Sequence, residues 1–177
     1  VVKAGGRAHV VSSGGLMVHE IIRARAEHIN LPVKSKNPFV IYANIKRLVK
    51  VIVENDVDIL HVRSRAPAWS AWAAAKRTGV GFVTTFHGTY SLGGNFKRSY
   101  NAIMIRGQRV IANSSFIAGH IRKNYGVKSA KIKIIHRGVD LEHFDVKKVS
   151  AHRVIKLAKE WRLDDGLSVV MLPGRLT

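Results

Sequence analysis

The chain has 177 residues, of which 46% are hydrophobic and 23% charged, and these globular values exclude a disordered tail, a collagen-like rod and a disulfide-stapled miniprotein. It has no cysteine, which excludes disulfides, thiolate catalysis and zinc ribbons, and no apolar run approaches the ~20 residues that a membrane-spanning helix needs. The 30 Lys and Arg against 11 Asp and Glu give a net charge of +19, which attracts nucleic acid, anionic lipid or phosphorylated ligands.

The first third of the chain predicts one clear helix and several shorter elements. Val1 to Ala4, followed by two glycines, resemble the last turn of a helix. Residues 41–53 place apolar side chains at helical spacing with lysine and arginine opposite, which predicts an amphipathic helix. Between these two, the pattern predicts a strand over residues 7–11, a short helix over 16–25 and a strand over 28–31.

The remainder of the chain predicts alternating strands and helices. One helix runs from Pro67 to Arg77 and is ended by Gly79; the other runs from Ser114, as its N-cap, to Asn124 before Gly126. The alternation predicts an α/β fold, namely a Rossmann-like, mostly parallel, open sheet flanked by helices. The apolar runs that predict its strands are residues 58–62, 82–86, 110–112, 132–135 and 169–172.

The two ends predict a division into unequal domains. Residues 1–162 are expected to form the Rossmann-like domain, without its first strand. Residues 163–177 are expected to form a linker turn and the first strand of a second domain. Since that strand, over residues 168–172, would lack its native neighbours, we expect it to be mobile or paired with a second copy of the chain.

Cationic and small polar residues follow each predicted strand, in a stretch from Ile59 to Val139 that contains no Asp or Glu. Ligands of parallel sheets bind at the carboxyl ends of the strands, where helix N-termini and backbone amides converge. These turns therefore predict an anionic, phosphate-bearing ligand held by guanidinium groups and amides. The segments concerned are residues 12–15, 63–65, 87–90, 113–115 and 136–140.

Two of these turns support a ligand more strongly than a merely structural role. Arg63 and Arg65 flank a small Ser64, which favours a bound anion over two solvated surface side chains. His87 is followed by Gly88, whose missing side chain lets a ligand approach the imidazole. A satisfied structural histidine, a capping role for Ser114, plain reversal turns and a basic surface kept for solubility are the alternatives.

The sequence lacks the residue patterns that several other kinds of active site need. The acid-free stretch excludes a glycosidase-type pair of carboxylates there, and no phosphate-binding Gly-x-x-x-x-Gly-Lys-Ser sequence occurs. The nine histidines show no His-Glu-x-x-His spacing, so neither a metal site nor a cofactor is expected.

Five segments stand in order along the chain: His87-Gly88-Thr89-Tyr90, Tyr100 to Met104, Val110 to Ser114, Arg137 to Asp140 and Leu172 to Thr177. Together they resemble the bacterial group-1 glycosyl transferases, also called glycosyltransferase family 4. Arg63 to Trp69 is similar to a segment in a branch that assembles lipopolysaccharide core or other envelope polysaccharides.

The resemblance implies a GT-B enzyme with two Rossmann-like domains, of which this chain would be the N-terminal, acceptor-binding one, truncated at both ends. Such enzymes transfer a sugar from a nucleotide-diphosphate sugar with retention of configuration and without a required metal ion. The implied acceptor is a lipopolysaccharide-core, exopolysaccharide or other lipid-linked or phosphorylated glycan. The implied location is the cytoplasm, peripheral at the inner face of the cytoplasmic membrane, with an anionic lipid surface as partner.

The resemblance also implies roles for individual residues. His87 matches a catalytic histidine that positions or hydrogen-bonds the transferred sugar. His136 stands where the family commonly has proline, a difference that would change the rigidity of that turn more than the chemistry. Other family motifs lie outside the chain, so the isolated chain is predicted to be inactive. The implied donor-binding residues are Gly88, Gly138, Gly174 and Arg175, and the implied acceptor-binding residues are Arg63, Ser64, Arg65 and Tyr90.

Two other functions compete with the enzyme. The net charge alone favours a basic nucleic-acid-binding domain, although the cations follow strand ends and only 7% of residues are aromatic and able to stack on bases. A non-catalytic module that binds anionic membranes is the second alternative. The enzyme hypothesis expects no specific nucleic-acid partner.

Overall fold

Short apolar runs form parallel strands in the computed structural model, which describes residues 1–90, 93–164, 166–172 and 174. β-Branched side chains suit these runs because they pack well on a pleated surface. Within the described residues the strands are β1 (His9–Ser12), β2 (Glu27–Asn30), β3 (Ile59–Val62), β4 (Gly81–Phe86), β5 (Arg109–Ala112) and β6 (Ile132–Ile134).

Helices connect these strands and cover the sheet. The longest, α2, begins after Asn37, whose side-chain oxygen accepts a hydrogen bond from the Phe39 amide at 2.9 Å. Short 3-10 turns lie over Val2–Ala4, Ala102–Ile105, Ser129–Lys131 and Val146–Lys148. The α-helices are α1 (Val18–Arg23), α2 (Pro38–Glu54), α3 (Arg65–Thr78), α4 (Asn95–Asn101), α5 (Ser115–Tyr125) and α6 (Ala151–Glu160).

The predicted helix stops and the predicted cap are confirmed. α3 ends at Gly79, with φ 78°, and α5 ends at Gly126, with φ 65°; glycine suits both because these values lie in the left-handed region. The Ser114 hydroxyl accepts a hydrogen bond from the Ile117 amide at 3.2 Å, which caps α5.

The strands form two parallel sheets rather than the single one expected. β1 pairs with β2, while the second sheet has the order β3-β4-β5-β6. All these pairings are parallel, which confirms the predicted α/β class. The sheets are separate because no described strand bonds to both β1 and β3, each of which is hydrogen-bonded on one side only.

One hydrophobic core serves both sheets. Small residues on α3, among them Ala71 and Ala74, let this helix pack closely against α2. Phe86 of β4 is fully buried in this core, and Val11 of β1 packs against it from the two-stranded sheet. The carboxyl ends of β3, β4 and β5 are therefore carried on a rigid layer.

The chain divides into two compact units, residues 1–136 and 137–177. The domain boundary predicted after residue 162 lies inside the second unit, and it stays a prediction. Apolar side chains of the second unit, such as Val154 and Trp161 near α6, are exposed.

The predicted strand over residues 169–172 is not formed within this chain. The described residues 166–172 form no strand and pair with neither sheet, and an extended segment becomes a β-strand only when a neighbour takes up its backbone hydrogen bonds. The expectation that this segment is mobile or paired with a second copy of the chain stays a prediction. The helices α4 and α6 were not predicted.

Gly107 should tolerate no side chain. A Cβ there would lie 2.7 Å from the Arg109 carbonyl oxygen and 3.1 Å from that of Phe82, so the backbone would have to shift. We expect Gly107→Ala to lower the free energy of unfolding by about 1–3 kcal/mol in a urea titration. The matched control is Gly119→Ala within α5, where a Cβ meets nothing within 4 Å and alanine should raise stability by about 0.5–1 kcal/mol. Equal effects of the two substitutions would contradict the close packing at Gly107.

Candidate functional site

The parallel register places three sequence-predicted turns at one edge of the four-stranded sheet. Val62 pairs with Thr84, and Phe86 pairs with Ala112, so the residues that follow β3, β4 and β5 share the carboxyl edge. We call this set the strand-end site: it comprises Arg63, Ser64, Arg65, His87, Gly88, Tyr90 and Asn113.

Arg63 and His87 contact each other directly. The Arg63 Nε donates a hydrogen bond to the His87 Nε2 at 3.3 Å. Because Nε2 accepts, the neutral ring carries its proton on Nδ1 in this arrangement. The pair is exposed, so the imidazole is oriented by a cation and still open to a ligand.

Arg65 is held by protein partners. Its Nη1 donates to the Oδ1 of the fully buried Asn101 at 2.6 Å, and its guanidinium carbon lies 4.5 Å from the centre of the Tyr90 ring. The stacking on an aromatic face and the bond to an amide fix the direction of the side chain without neutralising its charge. Arg65 therefore supplies a fixed positive charge to the strand-end site.

The phenols near Arg65 do not neutralise it. Burial raises the pKa of Tyr90, against the opposing effect of Arg65. Burial also raises the pKa of Tyr125, against a hydrogen bond from Asn101 and the charges of Arg65 and Arg98. Both hydroxyls are therefore protonated at neutral pH, so the strand-end site keeps its positive potential.

The remaining predicted residues of this edge leave room for a ligand. Ser64 is exposed at the N-terminus of α3, and its side chain makes no capping hydrogen bond. A Cβ on Gly88 would meet nothing within 4 Å, so the space beside His87 is open. Asn113 donates from Nδ2 to the His87 main-chain carbonyl at 3.1 Å and so ties the ends of β4 and β5 together.

Residues 12–15, at the end of β1, have partners within their own sheet. The Ser12 hydroxyl lies 2.7 Å from the His28 Nε2, and the Ser13 hydroxyl donates to the Leu31 carbonyl at 3.0 Å. These contacts favour the interpretation of this segment as a turn.

The predicted donor-binding residues are not all at the strand-end site. Gly138 and Gly174 lie in the second unit and are exposed. Arg175 lies outside the described residues. The donor-binding roles of these three residues stay predictions.

The described residues contain neither a metal-binding cluster nor a membrane-spanning helix. Within residues 1–90, 93–164, 166–172 and 174, no three or more His, Asp or Glu side chains are placed to hold a metal ion. In the same part of the chain no helix is long and apolar enough to cross a membrane.

Two residues that orient the strand-end site, Asn101 and Asn113, cannot be recognised in that role from local sequence. Asn101 belongs to a segment noted only for its family resemblance, and a single buried amide leaves no periodic signal. Asn113 was recognised as a strand-end residue, but its bond to the His87 carbonyl follows from strand register rather than from local sequence.

His61, on β3 beside this site, has a lowered pKa. Its Nε2 lies 2.7 Å from the Thr85 hydroxyl oxygen. Partial burial of the ring is the larger cause of the lowered pKa and the charge of Arg63 the smaller. The folded protein therefore favours the neutral form of His61.

A family model described as Glycosyltransferase Family 4 matches residues 1–143. A search of curated proteins finds no match.

Several solved structures resemble the chain. A glycosyltransferase from Rickettsia africae is 38% identical with a TM-score of 0.84, over 99% of this chain and 46% of that one. HepE from Anabaena, in complex with UDP-glucose, is 15% identical with a TM-score of 0.69, over 88% of this chain and 42% of that one. A sucrose-phosphate synthase segment from Thermosynechococcus elongatus is 11% identical with a TM-score of 0.56, over 89% of this chain and 99% of that one. The chain thus spans less than half the length of the first two proteins.

The lowered pKa of His61 should make stability depend on pH. Below about pH 6.5 the unfolded chain binds a proton at His61 that the folded chain resists, so the free energy of unfolding should fall as pH drops through this value. We expect His61→Gln, which keeps a polar group near Thr85, to flatten this fall in urea titrations from pH 5 to 8. Arg63→Gln should reduce it by a smaller amount, since Arg63 is the lesser cause. An unchanged pH dependence in His61→Gln would contradict this account.

Proposed function

Because the chain belongs to glycosyltransferase family 4, we propose that it is the acceptor-side half of a GT-B enzyme that uses a nucleotide-diphosphate sugar. The sugar transferred is a hexose or a related sugar, and the acceptor is a lipopolysaccharide-core, exopolysaccharide or other lipid-linked glycan. The observation that carries this proposal is the Arg63–His87 pair at the open carboxyl edge of a parallel sheet. HepE was solved with UDP-glucose, which supports a nucleotide sugar as the donor.

His87 is the proposed catalytic residue. Arg63 orients its ring, and His87 positions or hydrogen-bonds the transferred sugar. Gly88 keeps the approach to the ring open. Transfer proceeds with retention of configuration, as the family resemblance implies.

The negative charge that develops on the leaving diphosphate needs stabilisation in the transition state. Guanidinium groups and backbone amides supply it in the proposed enzyme, which requires no metal ion. Arg175 is the proposed diphosphate-binding cation, and Gly138 and Gly174 are further proposed donor-binding residues.

The acceptor is bound by Arg63, Ser64, Arg65 and Tyr90. Arg65 is pre-organised by Asn101 and Tyr90, so little side-chain freedom is lost when a phosphorylated glycan binds. Ser64 offers an exposed hydroxyl between the two arginines.

A lipid-linked acceptor also demands that the enzyme work at a membrane surface. The acid-free stretch from Ile59 to Val139 gives the chain a cationic region suited to anionic headgroups. The proposed location is therefore the inner face of the cytoplasmic membrane.

In the full-length enzyme, His87→Ala and Arg175→Ala should each lower kcat/KM by about a hundredfold or more, because each removes a group that acts on the reacting sugar or its leaving group. Initial rates of nucleoside-diphosphate release from a panel of nucleotide sugars measure this. Arg77→Ala, at the opposite end of α3, is the matched control and should keep wild-type rates. The isolated chain of residues 1–177 should transfer no sugar. Wild-type turnover by His87→Ala would refute its catalytic role.

The chain should bind anionic vesicles more tightly than neutral ones, and added salt should weaken this binding because it is electrostatic. Co-sedimentation with phosphatidylglycerol-containing and pure phosphatidylcholine vesicles measures the difference. DNA binding at low salt is expected of any protein with this charge, so the comparison is made at physiological salt, where non-specific DNA binding is about micromolar or weaker. Tight, sequence-selective binding of DNA or RNA there, without a preference for anionic vesicles, would favour a nucleic-acid-binding domain instead.

A further inference from the structure

Asn113 holds one unused hydrogen-bonding atom at the strand-end site. Its Nδ2 donates to the His87 main-chain carbonyl at 3.1 Å, while its Oδ1 is buried without a hydrogen-bond partner among the described residues. Turning the amide over would place two carbonyl oxygens against each other, so its orientation is fixed. Oδ1 is therefore an oriented acceptor, and buried acceptors in native proteins normally receive a donor.

The chemistry of the neighbouring groups restricts what that donor is. Arg63 and Arg65 present N–H groups, which suit the oxygens of a phosphate. A diester-linked phosphate has no proton to donate at neutral pH, whereas a sugar hydroxyl donates readily. A phosphorylated carbohydrate would thus satisfy both the cations and the amide oxygen.

We propose that Asn113 determines sugar specificity: its Oδ1 accepts a hydrogen bond from a hydroxyl of the transferred sugar, while its Nδ2 holds the His87 backbone. This inference rests on the proposed glycosyltransferase function. It concerns the transferred sugar because Asn113 braces His87, the residue proposed to contact that sugar.

An uncharged amide suits this position better than a carboxylate. Aspartate would keep an acceptor for the hydroxyl, but it would bring a negative charge to an edge whose arginines are proposed to bind a phosphorylated ligand. It would also lose the donor to the His87 carbonyl. The acid-free stretch in which Asn113 lies fits this requirement.

The test compares wild type, Asn113→Ala and Asn113→Asp in the full-length enzyme. The probe is UDP-glucose, or the nucleotide sugar that the wild type turns over fastest in a panel, together with its monodeoxy analogues. Nucleoside-diphosphate release gives kcat and KM. Asn124→Ala is the matched control, since Asn124 also donates from Nδ2 to a main-chain carbonyl, that of His120, near the other end of α5. Thermal melts establish that each variant is folded.

We expect the wild type and Asn124→Ala to lose about tenfold or more in kcat/KM with one particular deoxy analogue. Asn113→Ala should already have the lower kcat/KM with the complete sugar. Its kcat/KM should not fall further with the same deoxy analogue, because the contact is already absent. Asn113→Asp should still discriminate against the analogue, but with a raised KM. The inference would be overturned if every deoxy analogue lowered the kcat/KM of Asn113→Ala by the same factor as that of the wild type. Oδ1 would then bind an ordered water only. A wild type that turns over no nucleotide sugar would instead overturn the proposed function, and this inference with it.

Discussion

The parallel hydrogen-bond ladder of β3, β4 and β5 is the constraint on which the strand-end site depends. Parallel pairing sends every strand in the same direction, so the residues that follow these strands meet at one edge. β4 extends beyond the register partner of Val62, and this offset brings His87 within reach of the Arg63 side chain. The contacts of Arg63, His87 and Asn113 are thus consequences of register, because no two of these residues are close in sequence.

Neutral side chains hold the Arg65 guanidinium of this edge in place. An arginine beside a carboxylate would be neutralised and unavailable to an anion. Here Arg65 is instead fixed by an amide and an aromatic face, and the surrounding phenols stay protonated because burial disfavours their ionised forms. The site therefore combines fixed geometry with a positive charge that no carboxylate neutralises, and this combination suits an anionic ligand.

Local features of the fold could be predicted from the sequence, whereas long-range ones could not. The Ser114 cap and the Gly79 stop depend on the few residues around them, and the structure has both. α6 carried a similar local signal, a Ser150 cap before an amphipathic run, and could have been predicted. The Arg65–Asn101 bond joins residues far apart in the chain, so no local pattern contains it. The strand over residues 169–172 was predicted from its apolar residues alone, but a strand also needs a neighbour.

The two-stranded sheet of β1 and β2 has a dynamic consequence. Each of these strands has a single hydrogen-bonded neighbour, and a pair of four-residue strands is too small to be stable alone. It is attached to the rest through side chains, such as Val11 against the core and Asn44 of α2, whose amide donates to the Pro32 carbonyl at 3.1 Å. We therefore expect sub-global openings in which this pair detaches while the four-stranded sheet stays folded. The strand-end site is built on the part of the molecule that such openings leave intact.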